Sequence, residues 1–167
     1  MQELTHFING KHVKGTSGRF SDVFNPATGE VQAQCPLASP AEVDAALDIA
    51  AKAQVGWGAM NPQKRARVMM KYVALLNRDM DRLAEILSRE HGKTIPDAKG
   101  DVTRGLEVIE YCIGAPELLK GDFTDSAGTG IDMHSMRQPL GVVAAIMPFN
   151  FPAMMPLWHV GPALACG

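Results

Sequence analysis

The chain has 167 residues, 46% hydrophobic and 20% charged, with a net charge of −2 at neutral pH. Those values suit one soluble globular core and give no electrostatic reason to bind nucleic acid or an anionic lipid surface. No apolar run approaches the roughly 18 residues of a membrane span, the first residues carry no secretory or transit pattern, and three scattered cysteines without a C-x-x-C pair argue against a disulfide framework or a zinc site, so a cytoplasmic protein is expected.

The first elements are short. Asn9-Gly10 within HFINGKHV signals a tight hairpin turn. Phe20 to Phe24 reads as a strand, Asn25-Pro26-Ala27-Thr28-Gly29 as a turn, and Val31, Ala33 and Cys35 alternate as a half-buried strand should. Together these predict a small antiparallel β unit.

Helices follow. Ser39-Pro40-Ala41-Glu42 is a capping box with proline at the first helical position. Val43, Ala46, Leu47, Ala50 and Ala53 form its inward stripe, and Gly56 and Gly58 end it. Asn61-Pro62 opens a second helical stretch, with Met69, Tyr72, Val73, Leu76, Met80, Leu83 and Leu87 at offsets of three and four. The register predicts either one long helix or two with a break near Asn77 and Asp79, ending at Gly92. Thr94-Ile95-Pro96-Asp97 starts another helix that reaches about Ala115. Val102, Leu106, Ile109 and Ile113 mark one face, and Gly105, Val108 and Cys112 mark a second, so this helix is packed on two sides. Residues 121–130 read as a polar loop and Ile131 to Gln138 as a strand without one clear buried face.

The remainder, Pro139 to Gly167, organises the chain. Gly141 to Met147 is a continuous apolar run bounded by prolines, the pattern of a strand buried on both faces of a parallel sheet. In Pro148-Phe149-Asn150-Phe151-Pro152 the prolines on either side of Asn150 forbid ordinary helix or strand. Ala153, Met154, Leu157, Trp158, Ala163 and Leu164 then predict a mostly buried helix, interrupted or kinked near Pro156 and Pro162. Strand, rigid turn and helix place a polar group at the carboxyl end of a parallel strand, where open α/β sheets bind ligands.

PFNFPAMMPLW followed by PALACG resembles the Pro-Trp/Phe-Asn-Phe-Pro segment of the NAD-dependent aldehyde dehydrogenases. The Asn-Gly-Lys hairpin and Asn-Pro-Ala-Thr-Gly turn are similar to the opening of that family. Phe149, where most of the superfamily carries Trp, resembles the coenzyme-A-acylating methylmalonate-semialdehyde branch. The resemblance covers the N-terminal part of a family member. It implies an α/β fold, with a hairpin and helices of the NAD-binding domain over 1–130, an oligomerisation strand over 131–139, and the first strand–turn–helix of a Rossmann-like core over 140–167. It implies a homo-oligomer, dimer or tetramer, whose strand at 131–139 joins subunits.

The same resemblance implies site residues. A cysteine beyond these residues would attack an aldehyde, with the side-chain amide of Asn150 holding the oxyanion. Hydride would pass to NAD, and coenzyme A would take the acyl group. Losing one such donor costs about 2.7–4 kcal/mol in comparable sites. Met147, Pro148 and Phe149 would border the nicotinamide side of NAD, although Pro148 fits ordinary packing equally well. Arg104, in an Arg-Gly pair with Gly105, would grip the substrate carboxylate by two parallel hydrogen bonds. On residue type alone it fits a surface pair with Glu107 or Asp101 as readily. Cys35, Cys112 and Cys166 lack a neighbouring activating group and read as buried small hydrophobes. The histidines show no metal-ligand spacing, and no glycine-rich phosphate loop is present. The substrate implied is a methylmalonate or malonate semialdehyde. The alternatives are a hydrolytic NAD(P)-dependent semialdehyde dehydrogenase, or a non-catalytic fragment that only self-associates.

Overall fold

The computed structural model describes residues 2–167. Strand β1 (Gln2–Glu3) leads into the hairpin of β2 (His6–Ile8) and β3 (Lys11–Val13). Asn9 and Gly10 close it at φ 53° and 71°, the left-handed pair that a two-residue turn requires. β4 (Phe20–Phe24) and β5 (Val31–Pro36) pair antiparallel, with Gln34 Nε2 donating to Asp22 Oδ1 at 2.9 Å. The other edge of β5 takes β1 in parallel, giving the order β1-β5-β4. The expected antiparallel unit is therefore a mixed sheet beside a hairpin. The residues between β1 and β5 are enough to make a parallel return. Of the three alternating residues only Ala33 is buried; Val31 and Cys35 are exposed, which corrects the reading of Cys35 as buried.

Helix α1 (Pro40–Gly58) begins at the predicted capping box. The Glu42 carboxylate accepts from the Ser39 N–H at 2.8 Å and from the Thr16 N–H at 2.7 Å. Those hydrogen bonds hold its pKa down at about 2. The apolar stripe of α1 is not buried: Val43 and Leu47 are each 47% exposed. The periodicity is real, but no residue of the stripe is fully buried; Ala46 and Ala50 are half-buried beside an open groove they share with Val142 and Val143.

The next stretch is two helices, α2 (Pro62–Arg78) and α3 (Met80–His91). The break is at Asp79, whose carboxylate is held in a two-point contact by Arg78 at 2.9 and 2.8 Å. Gly92 ends α3 in the left-handed region at φ 85°. α4 (Ile95–Cys112) is the central helix, packed against α2, α3 and the C-terminal helix. Met69, Leu76, Leu106 and Ile109 form one cluster of the core with Leu157, and Ala84, Leu87, Ala98 and Val102 form a second. The first predicted face of α4 thus supplies Val102, Leu106 and Ile109, and from the second face Cys112 packs with Ala115 and Ala165 in a third cluster.

A short α5 (Ala115–Leu118) precedes a hairpin of β6 (Phe123–Gly128) and β7 (Ile131–His134). The expected polar loop at 121–130 is in large part a strand, because residues of low strand propensity gain a ladder partner in β7. The larger departure is at Gly141 to Met147. This run forms no strand and its Val142, Val143 and Ile146 are exposed. A strand is defined by its ladder, and no described segment pairs with these groups.

α6 (Met154–Cys166) runs unbroken past both prolines. Pro156 lies in the first turn, where no intrahelical N–H is needed. Pro162 is exposed, as are Trp158 and Leu164, so the helix is buried on one face only. That face meets α4 at two glycines. A Cβ on Gly105 would lie 2.9 Å from Leu157 Cβ and 3.1 Å from Met154 Cα, and one on Gly161 would lie 3.5 Å from Ile109 Cα. The other end of α6 is tied down by side chains. Arg65, 3% exposed, donates Nε–H to Ala165 O at 3.1 Å; Trp57 Nε1 donates to Leu164 O and Gln54 Nε2 to Gly167 O, each at 2.9 Å. A cation and two N–H donors thus satisfy the carbonyl end of the helix dipole.

The close helix contact makes a paired prediction. Gly105→Ala must push backbone and Cβ atoms apart, costing about 1–3 kcal/mol against a helix-propensity gain of about 1. Gly100→Ala meets nothing within 4 Å and should gain about 0.5–1 kcal/mol. Denaturant unfolding should therefore move the two midpoints in opposite directions.

Candidate active site

Asn150 sits in the turn between the unpaired apolar run and α6. The bends at Phe149, Asn150 and Phe151 pass into helix where Met155 N–H donates to Phe151 O at 3.2 Å. The Asn150 amide is exposed and makes no hydrogen bond among the described residues. It is free to donate to something outside them.

What fixes the turn lies behind it. Asp101, on α4, is 0% exposed and accepts the Met154 N–H through Oδ1 at 2.7 Å. The residue before α6 makes no capping bond of its own, so a carboxylate from the neighbouring helix takes that role at the positive end of the dipole. Asp101 Oδ2 pairs with Lys93 Nζ at 3.0 Å, and Lys93 also approaches Asp97 at 3.9 Å. Lys93 Nζ lies 4.1 Å from the centre of the Phe151 ring, within cation–π range. The His91 and Phe149 rings meet at 5.4 Å between centroids. Removing one partner of such a buried pair would leave an uncompensated charge, at a cost of about 3–5 kcal/mol.

Of the other sequence candidates, Met147 is half-buried and lines an apolar groove of about 790 Å³ with Trp57, Val160 and Leu164. Pro148 is exposed, and so is the Phe149 ring. Arg104 is exposed on α4, and its carbonyl accepts Trp158 Nε1–H at 3.1 Å. Among the described residues it makes no ion pair with Asp101 or Glu107; Asp101 is committed to Lys93. The surface-pair reading of Arg104 is thereby corrected. The glycine beside it has a packing role of its own against Leu157.

Among the described residues no cysteine takes part in an ion pair or in a group of potential metal ligands. Burial, reinforced by Cys166, pushes the Cys112 thiol up, away from the thiolate. Cys166 is exposed, which corrects the expectation that it is buried. Sequence reading missed Asp101, Lys93 and Arg65. Asp101 did carry a signal. It lies at offsets of three and four with Ala98, Gly105, Ile109 and Cys112, a lone charge on a face of small and apolar residues.

The aldehyde dehydrogenase family model matches residues 12–167. The chain belongs to the aldehyde dehydrogenase family. All of it matches a malonate-semialdehyde dehydrogenase of Pseudomonas aeruginosa at 47% identity, spanning 33% of that protein. An acylating, mitochondrial methylmalonate-semialdehyde dehydrogenase of Arabidopsis thaliana is 43% identical over 98% of the chain, which spans 27% of the plant protein. Among solved structures, a provisionally assigned methylmalonate-semialdehyde dehydrogenase of Sinorhizobium meliloti 1021, complexed with NAD, superposes with a TM-score of 0.98. It is 63% identical, and the chain covers 34% of it. The expected α/β aldehyde dehydrogenase fold is therefore borne out for a segment about a third as long as these relatives.

Proposed function

We propose that this aldehyde dehydrogenase segment is the N-terminal part of an NAD-dependent enzyme that converts methylmalonate or malonate semialdehyde to an acyl-CoA. The observation that carries the reading is the match over the whole chain to the Pseudomonas malonate-semialdehyde dehydrogenase. The acylating Arabidopsis relative supports coenzyme A as acyl acceptor, and the NAD-bound Sinorhizobium relative supports the cofactor. In this reading 131–139 joins subunits of a cytoplasmic homo-oligomer, and 140–167 opens the NAD-binding core.

The chain's own residues suit their assigned parts. Asn150 presents an exposed amide N–H on a braced turn, as a donor to a developing oxyanion must. Met147, Pro148 and the exposed Phe149 ring offer an apolar wall fitted to a flat ring. NAD bound against that wall would accept a hydride from the substrate carbon. Arg104 has its guanidinium free of ion pairs among the described residues, leaving its fork for a substrate carboxylate.

A full-length enzyme that carries this segment should form NADH and an acyl-CoA from malonate semialdehyde when NAD and coenzyme A are present. Release of a free acid whether or not coenzyme A is present would instead mark a hydrolytic semialdehyde dehydrogenase. Arg104→Lys should raise KM for carboxylate-bearing semialdehydes far more than for propanal, because an ammonium cannot make the two-point contact. An equal change for both substrates would make Arg104 structural.

A further inference from the structure

We propose that Lys93 and Asp101 are positioning residues that hold the turn presenting the Asn150 amide. The inference rests on the oxyanion reading of Asn150 and adds how the amide is aimed.

The turn has little to hold itself. Pro148 and Pro152 have no N–H to donate, and among the described backbone hydrogen bonds outside regular elements only Phe151 O takes part from residues 148–152. Its ties come from the last residue of α3 and from the connection that follows it to α4. His91 meets the Phe149 ring and Lys93 meets the Phe151 ring. The two contacts share one spacing, two residues on each strand of chain, and Asn150 lies between the held rings. Gly92, between His91 and Lys93, has φ 85°, and a Cβ there would lie 3.2 Å from Pro26. The connection is therefore itself set in a conformation that favours glycine.

Asp101 completes the arrangement. One oxygen pairs at 3.0 Å with Lys93 Nζ, which lies 4.1 Å from the centre of the Phe151 ring, and the other accepts the Met154 N–H, three residues beyond Phe151, at 2.7 Å. A single buried carboxylate thus fixes both the ring next to Asn150 and the first turn of the helix after it. Loosening either lets the amide move away from the point where oxyanion charge develops. Donor geometry at such a point is demanding.

The test is single-turnover hydride transfer in a full-length enzyme carrying this segment. The variants are Asp101→Asn, Lys93→Ala and the pair combined, each with and without Asn150→Ala. The single variants should slow the step roughly tenfold or more, with KM for NAD little changed. Combining them removes both charges, so thermal stability should recover relative to Asp101→Asn or Lys93→Ala alone. The rate should stay low, since the Phe151 ring is still released. On the Asn150→Ala background the same changes should cost little further rate, because they act through that amide. Unchanged single-variant rates, a rate that recovers together with stability, or a full additional loss on the Asn150→Ala background would each overturn the positioning role. If Asn150→Ala alone leaves the rate unchanged, the oxyanion reading fails first and takes this inference with it. The two failures are thus distinguishable.

Discussion

Asn150→Ala in a full-length enzyme carrying this segment should lower kcat by roughly a hundredfold or more, with NAD affinity little affected. Such a loss corresponds to about 2.7 kcal/mol of transition-state stabilisation. The size follows from the donor's setting. Its amide is exposed, so it needs no internal bond broken before it can donate, and its turn is braced by Asp101 and Lys93. A preorganised donor loses little in reorientation when charge appears on the substrate oxygen. Alanine keeps the turn, because the prolines and aromatic rings that shape it remain. The measurement is kcat with acylation rate-limiting, or a single turnover where product release limits. An unchanged rate would refute the oxyanion role.

Asn150 was picked out as a candidate by its two flanking prolines together with the family resemblance, whereas the residues that brace its turn were not legible. Asp101 and Lys93 lie about fifty residues from Asn150, and only the fold brings an α4 carboxylate under the first turn of α6. The same holds for Arg65, to which the sequence reading assigned no role and which caps α6 from a buried position. Local signals fared better. The Asn9-Gly10 turn, the Ser39 capping box and the Gly92 end are each set by a few adjacent residues, and each stands where expected. The strand expected at 141–147, which does not form, shows the limit of such signals. Its apolar pattern states what the segment would do with neighbours on both sides, and pattern alone does not supply them.

These 167 residues by themselves should form no NADH from NAD, coenzyme A and propanal, and they should self-associate. The chemical half follows from the cysteines. Cys112 is buried with its thiol pushed up, and neither Cys35 nor Cys166 takes part in an ion pair or in a group of potential metal ligands among the described residues. Asn150 would have no oxyanion to stabilise. The physical half follows from exposed apolar surface. Leu140 and Ile146 are 97% and 101% exposed, and Val142 and Val143 line an open groove with Val43, Ala46 and Leu47 of the α1 stripe. The N–H and C=O groups of 141–147 have no ladder partner among the described residues, which leaves them open to pairing with another chain. The α2, α3, α4 and α6 core should meanwhile stay folded, since its clusters are buried without help from that segment. A folded helical part that carries an unpaired, exposed apolar segment favours association over a clean monomer. Light scattering alongside the dehydrogenase assay separates the two halves. A monodisperse monomer would overturn the association, and reproducible NADH production would overturn the inactivity.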